Sequence, residues 1–470
     1  MADDSIAFTP ATELAAMIRE KQISPVEVMR ATLDRIEKFN PRLNAFAHLA
    51  AEPAMAQARA AEAALLQGSP IGKLHGIPVT IKDLAITGDM PTQFGSNIFK
   101  NNQPAEDSVF VQRLRAAGGI VVGKTTTSEF GWTGVSRSPL TGITHNPWKH
   151  GLNAGASSAG AGAAAAAGFG PLHQGSDGAG SVRMPSHFCG VFGLKPTYGR
   201  IPYHPVGGGD NTSHIGPMTR TVADAALMME VMVGPSALDH SSLESWGADY
   251  TGRLAEGIKG KRIAYSPDLD LARVDPDVAE LVKRAAHRFA ELGAHVEQVQ
   301  TPWAAEGPEL IRATWPAHLS RLIPRLAEWE SRMDPGLVAC IRAGENVTMT
   351  DYQLVRERKY AYCARQLAWL ENWNFLLTPA VSVAAFPAER LMPHHWPEHA
   401  WDWVSWAEFS YPFNFSGAPA ASVPCGFTPA GLPVGLQIVG KRFDDLGVLQ
   451  AAAAYEAIAP WADKRPPLGG

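Results

Sequence analysis

The sequence predicts an α/β fold: one domain built on a central mixed β-sheet with α-helices on both faces. Three observations carry this prediction. Strand-like and helix-like segments alternate along the chain, no internal repeat is found, and no polar linker divides the 470 residues. A composition of 46% hydrophobic and 19% charged residues is that of a globular protein able to bury a large core.

Residues 1–68 read as helices. Ser24-Pro25-x-Glu27 supplies a cap, a proline at the first helical position and a capping-box acid ahead of VMRATLDRIEKF. Gly76–Leu84 (GIPVTIKDL) reads as a buried strand ending in a Lys-Asp pair. A short helix starts at Asp107 or Ser108 and runs to Ala117, and Gly119–Gly123 is the next strand. Ser157 and Ser158 stand where a helix begins, and Ala161–Ala167 is strong helix former. Thr221-x-x-Asp224 opens a helix through Met232. Lys261–Tyr265, the helix Pro276–Leu292 and Ala294–Val299 form a β-α-β unit. Residues 300–410 are helical in part and rich in Trp, Pro and His. Ala421–Phe427 and Pro433–Gly440 read as two strands joined by the turn Thr428-Pro429-Ala430-Gly431, and a last helix follows Asp444 or Asp445.

Charge and cysteine usage exclude several functions. A net charge of −5 gives no footing for nucleic acid or an anionic membrane. The four cysteines (Cys189, Cys340, Cys363 and Cys425) are scattered without a CxxC pair, which argues for a reducing compartment and against a zinc ribbon. MADDSIAFTP lacks the basic and apolar regions of a signal peptide, and apolar runs such as Ala163–Ala167 fall far short of the ~20 residues that span a bilayer. A cytoplasmic location is expected.

Two motifs fail their own structural requirement. Gly118–Thr125 (GGIVVGKT) matches the Walker A pattern, but a phosphate loop needs its middle residues between strand and helix. Here they are Gly-Ile-Val-Val, a strand interior. His395-x-x-Glu398-His399 matches a zinc-peptidase pattern that needs a helix, and Pro397 sits inside it. No metal and no cofactor are expected.

A different segment carries chemistry. From Gly151 to Ser181 the chain is mostly glycine, alanine and serine, too apolar for a solvated linker. Such a segment clears room for a substrate beside its own backbone. With the strand-terminal Lys82 it offers two serine positions, Ser157-Ser158 and Ser181. A serine hydroxyl needs a base to become a nucleophile. Lysine serves only when neutral, a fall of about 3 units worth roughly 4 kcal/mol that burial among small apolar residues achieves. The N–H groups of Gly178, Ala179, Gly180 and Ser181, free of bulky side chains, are candidates to bind an oxyanion. Against this, a lysine closing a strand is as a rule a surface or salt-bridged lysine, and serines in such runs as a rule cap helices. The residues alone leave both readings open.

The chain resembles the amidase signature family, hydrolases with a Ser–cis-Ser–Lys triad. The matching pieces are GIPVTIKDL around Lys82, AGASSAG around Ser157, GSDGAGSVRMP around Ser181, FCGVFGLKPTYGR at 188–200, HIGPMTRTVADAALMM at 214–229, and GAPAASVPCGF and GLPVGLQIVG near the C-terminus. They run in order over nearly the whole chain. The resemblance implies Ser181 as nucleophile, Ser157 as the bridging serine after a cis peptide bond, and Lys82 as general base. It also implies that Asp177 and Arg183 support the nucleophile loop and that Ser158 is a supporting hydroxyl. It divides the single domain 1–470 into N-terminal helices (1–68), a catalytic core (70–240), a variable substrate-selectivity region (300–415) and a return to the sheet (416–460). The usual GGSSGG core is here Gly155-Ala156-Ser157-Ser158-Ala159-Gly160, and the usual Asp-Thr-Gly-Gly-Ser is Asp177-Gly178-Ala179-Gly180-Ser181. Each exchange is small for small and bears on pocket width.

The resemblance implies an amidohydrolase that releases an acid and ammonia or an amine from a small carboxylic amide. The alternative it allows is the amidase-type component of a glutamine-dependent tRNA amidotransferase. There, the residue three after the nucleophile is typically Gln, where this chain has Met184. Trp132, Met184, Trp406 and Phe409 are the pocket candidates, and the aromatic density around 401–415 suggests an apolar or aryl substrate group. Arg137 or Arg312 are the arginines available to hold a substrate carboxylate. The expected partner is the small-molecule amide, with neither nucleic acid nor membrane. A homodimer is left open.

Overall fold

The computed structural model describes residues 4–205, 211–244 and 247–468. Its centre is an 11-stranded mixed sheet. From one edge to the other the strands are Phe46–Leu49, Ile120–Thr125, Pro78–Lys82, Leu172–Asp177, His214–Thr219, Phe192–Lys195, Ala420–Phe427, Pro433–Gly440, Phe375–Pro379, Arg262–Tyr265 and His295–Gln298. Pro78–Lys82 runs parallel to both of its neighbours, and Leu172–Asp177 runs antiparallel to His214–Thr219.

Side-chain alternation shows why the sheet is covered on both faces. Val121 packs into one apolar cluster with Val79, Ile81, Phe110 and Met228, while its neighbours Ile120 and Val122 pack into another with Ala163, Ala164 and Ala167. At the other end Leu376 and Val439 join the aromatic cluster of Trp132, Trp303 and Trp403, whereas Leu377 and Ile438 face the opposite side.

Several local signals act as expected. Ser24 and Glu27 form a reciprocal capping box for the helix Pro25–Leu43, and Ser108 and Thr221 precede the helices Val109–Ala116 and Val222–Met232. Arg262–Tyr265, Pro276–Arg288 and His295–Gln298 make a parallel β-α-β unit, the helix closing in a 3₁₀ turn over Phe289–Leu292. Ala420–Phe427 and Pro433–Gly440 pair as a hairpin. The strand after Gly119 runs on to Thr125 and so contains Lys124; no helix follows there, as a phosphate loop would need.

Residues 307–370 form a helical layer of Gly307–Leu319, Ile323–Trp329, Pro335–Ala343 and Met349–Leu370; the chain then enters the sheet as Phe375–Pro379, and the short helix Tyr411–Phe415 packs against the layer. Among the described residues no helix is long and apolar enough to cross a membrane. Among the described residues no disulfide joins any of the four cysteines.

Candidate active site

Two parallel neighbours, Pro78–Lys82 and Leu172–Asp177, end side by side, and open α/β sheets bind ligands at such carboxyl ends. Lys82 closes the first strand. The second runs into the turn 178–182, which carries Ser181. Across from them, Ser157 and Ser158 precede the helix Ala159–Ala167. Every residue of that helix is buried, so alanine and glycine are what lets it pack closely. The Ala156–Ser157 peptide bond is cis.

The Lys82 amine is fully buried. Its Nζ lies 2.7 Å from Ser157 Oγ, 2.9 Å from Ser158 Oγ, 3.0 Å from Ser176 Oγ and 3.3 Å from the Ser176 carbonyl. Burial drives its pKa well below the lysine range, only partly opposed by the charge of Asp177. Ser158 Oγ donates to the Ser176 carbonyl at 3.1 Å, so toward the amine it is an acceptor. Sequence reasoning missed Ser176. The signal was present, because alternate residues of a strand share a face: Gln174 Oε1 accepts from the Lys82 backbone N–H at 3.0 Å, and Ser176, two residues on, meets the amine.

Asp177 holds the turn after the strand. Its Oδ1 accepts from the Gly180 N–H at 2.6 Å and its Oδ2 from the Val182 N–H at 3.1 Å. Arg183 pairs with both oxygens, at 2.9 and 3.0 Å, and reaches on to Asn414 Oδ1, Gln437 Oε1 and the Ser410 carbonyl. Burial alone would raise the Asp177 pKa, but Arg183 overrides it and holds the carboxyl far below its ordinary range. Asp177 and Arg183 thus support the turn from outside the cavity.

This bonding corrects one expectation. The Gly180 N–H belongs to Asp177 and is not available to an oxyanion. With φ +109° Gly180 turns the chain, and a Cβ there would lie 2.4 Å from Ser410 Oγ. Among the described residues the N–H groups of Gly178, Ala179 and Ser181 have no acceptor.

Ser157 and Ser181 face one cavity of about 120 Å³, with Trp132, Phe130, Trp315 and Gly131 among its walls. A Cβ on Gly131 would lie 3.2 Å from Ser157 Oγ, so the glycine keeps this wall clear. Both serines are 3% exposed. Among the described residues no hydrogen bond joins Ser181 Oγ to Ser157; the two serine segments meet through the Ser158 N–H, which donates to the Ser181 carbonyl at 3.2 Å.

Of the four pocket candidates, Trp132 lines the cavity, and its carbonyl accepts from Trp315 Nε1 at 3.0 Å. Met184, Trp406 and Phe409 do not. Trp406 and Met184 pack around Gly134, Trp406 donates to the Leu391 carbonyl, and the Phe409 carbonyl accepts from Gln437. They are core, buried because large apolar side chains gain most where no water remains. The two arginine candidates are also elsewhere: Arg137 pairs with Asp334 and Arg312 with Asp402. The arginine lining the cavity is Arg321, beside His318 and Tyr203, in a helical stretch with no local motif to mark it. His395 pairs with Asp275, while His399 Nδ1 accepts from the Trp401 and Asp402 N–H groups.

A mixed sheet of this order, with a buried amine among serine hydroxyls where its strands end, sets the class of the fold: an α/β protein with a polar site at the sheet's carboxyl ends. The chain belongs to the amidase signature family, whose Amidase model matches residues 27–449. It is similar to the acylamidase of Rhodococcus erythropolis, 39% identical over 99% of this chain and 98% of that protein. A solved bacterial aryl acylamidase of the family superposes with a TM-score of 0.90 at 30% identity, covering 97% of each chain. A glutamyl-tRNA(Gln) amidotransferase component from Chloroflexus aggregans is 33% identical over 95% of this chain and 96% of its own. The chain is therefore an amide-hydrolysing enzyme.

Proposed function

We propose that the enzyme cleaves a small apolar or aryl carboxylic amide through an acyl-enzyme on Ser181, with Ser157 as bridging serine and Lys82 as base. The observation that carries this reading is the buried Lys82 amine, held by three hydroxyls, with no carboxylate among its hydrogen-bond partners. Such an amine is uncharged and has a lone pair to offer. Ser158 directs its own proton to the Ser176 carbonyl, which leaves the hydroxyls of Ser157 and Ser176 to donate to the amine, and of these Ser157 is the nearer, at 2.7 Å against 3.0 Å.

The steps follow from that polarity. As substrate enters, the Ser181 hydroxyl gives its proton to Ser157 while Ser157 gives its own to Lys82, and Ser181 Oγ bonds the amide carbon. The N–H groups of Gly178, Ala179 and Ser181 meet the charge growing on the carbonyl oxygen. The proton returns through Ser157 to the nitrogen, the C–N bond breaks, and ammonia or an amine leaves. Water, deprotonated by the same relay, then attacks the ester, and the acid departs as Ser181 regains its proton.

Trp132, Phe130 and Trp315 around the cavity support an apolar or aryl group beside the scissile bond. Identity to the amidotransferase component is lower than to the acylamidase, 33% against 39%, and Met184 replaces the Gln typical of that component. Both favour hydrolysis without partner chains. Four scattered cysteines without a CxxC pair support a cytoplasmic location.

A fluorophosphonate probe with peptide mapping tests the reading. Label is expected on Ser181, and Ser181→Ala is expected to lose both label and amide turnover while staying folded. Label on another residue, or turnover surviving Ser181→Ala, refutes the nucleophile. Amine release only after amidotransferase partners are added would favour the amidotransferase role.

A further inference from the structure

The serine cavity continues past its aromatic wall. Leu84, Phe130, Tyr203 and Arg321 line it and also line a second cavity of about 540 Å³. The far wall of this outer chamber holds Phe94 and Phe99, edge to face at 5.1 Å, with Phe99 also edge-on to Phe130 at 5.9 Å. Exposed Arg325 stands at its mouth. Aromatic and apolar side chains thus line the passage from Ser181 outward, with Thr212, Ser213 and His318 as polar wall near the serines.

Among the described residues its charges are of one sign: Arg321 and Arg325 are the ionic side chains in the two linings, and no described carboxylate lines either. His318, Arg321, Leu322 and Arg325 follow at three- and four-residue spacing over the helix Gly307–Leu319, the turn Ser320–Leu322 and the helix Ile323–Trp329, so they share one face. Among the described residues Arg321 and Arg325 have no ion-pair partner. Other arginines of this helical layer do: Arg312 with Asp402, Arg342 with Glu330, Arg358 with Glu309 and Arg365 with Glu306. A guanidinium presents a fork of donors that fits a carboxylate, and a cleft of one sign with apolar walls concentrates the opposite charge.

We infer that the preferred substrate carries a carboxylate remote from the scissile amide, across an apolar or aryl spacer, and that Arg321 and Arg325 bind it. This names the substrate class of the site proposed above and rests on Ser181 as the reacting group. The arginines set specificity and take no part in the bond-making steps.

The test uses matched pairs: glutaryl-4-nitroanilide against valeryl-4-nitroanilide for a carboxylate on the acyl side, and 4-acetamidobenzoate against 4-methylacetanilide for one on the amine side. In at least one pair kcat/KM is expected to favour the acid by about tenfold or more, mainly through KM. The double variant Arg321→Gln, Arg325→Gln is expected to bring that ratio close to one. A wild-type preference for the neutral member in both pairs, or a ratio unmoved in the variant, overturns the inference. Calorimetric titration of Ser181→Ala protein with the same compounds separates binding from chemistry. If the fluorophosphonate labels a residue other than Ser181 while calorimetry shows arginine-dependent acid binding, the nucleophile assignment falls and the carboxylate site stands. If Ser181 is labelled and calorimetry shows no acid preference, the inference falls alone.

Discussion

The ends of two adjacent strands put a buried amine into different surroundings. Lys82 closes Pro78–Lys82 among serine hydroxyls. Lys124, on the neighbouring strand Ile120–Thr125, is equally buried, but three carboxylates act on it: Asp83, Asp89 and Asp107. Burial lowers both pKa values. The carboxylates hold Lys124 up at about 8, whereas Lys82, with only the charge of Asp177 raising it, falls further. Lys124 bonds the Ala85 carbonyl at 2.6 Å, Thr92 Oγ at 2.6 Å and Thr87 Oγ at 3.3 Å, and so ties down the loop after Lys82. Hydroxyls can cage an uncharged amine ready to accept a proton; carboxylates keep a charged one in place as a fastener.

The largest expected effect breaks the first half of that contrast. Lys82→Met should lower kcat by about a thousandfold or more at neutral pH, the usual worth of a positioned base, in a protein that keeps its circular dichroism. A near-normal rate would mean another group is the base. In the wild type kcat/KM should rise with pH through the lowered Lys82 pKa and then level off, because only the unprotonated amine serves. The same shift makes folding stability rise with pH between the folded and unfolded values, since there the unfolded chain binds the extra proton.

Lys124→Met breaks the second half. It removes three hydrogen bonds and leaves Asp83 buried beside a neutral residue, so a loss of about 2–4 kcal/mol in denaturant midpoint experiments is expected. The rate per folded molecule should fall less than about tenfold, well short of the effect of Lys82→Met. Chemical inactivation of a fully folded Lys124→Met protein would show that both amines serve the reaction.

The smallest effect sharpens the cage itself. Ser158→Ala deletes one of the acceptors on Lys82 and one of the two donors to the Ser176 carbonyl, and should lower kcat/KM by about tenfold. Steady-state rates for Ser158→Ala and Ser157→Ala, side by side, check the order. A larger loss from Ser158→Ala would exchange the two roles.

Legibility in the sequence followed the range of the interactions. Lys82, Ser157 and Ser181 lie in short segments whose backbone course is fixed locally, by a strand end, a helix start and a glycine turn, and small side chains there announce a backbone-lined site. The Gly180 N–H was misread because its partner, Asp177, lies only three residues away and competes with any substrate. Arg321 and Trp315 went unnoticed because nothing within their own turns marks the face that meets the serines. Met184, Trp406 and Phe409 were misplaced for the converse reason: a large apolar side chain fills either a pocket wall or the core, and only long-range packing decides. The helical layer resisted reading because its helices accommodate proline, as Gly307–Leu319 does at Pro316, and are spliced by short 3₁₀ turns.

The claim on which all else depends is the uncharged state of one amine. Heteronuclear NMR of ¹⁵N-lysine-labelled protein reads it directly, the Lys82 Nζ resonance being the one absent from Lys82→Met. That resonance is predicted to lose its proton well below the ordinary lysine value of 10.5. A Lys82 that stays an ammonium up to 10.5 would contradict the account.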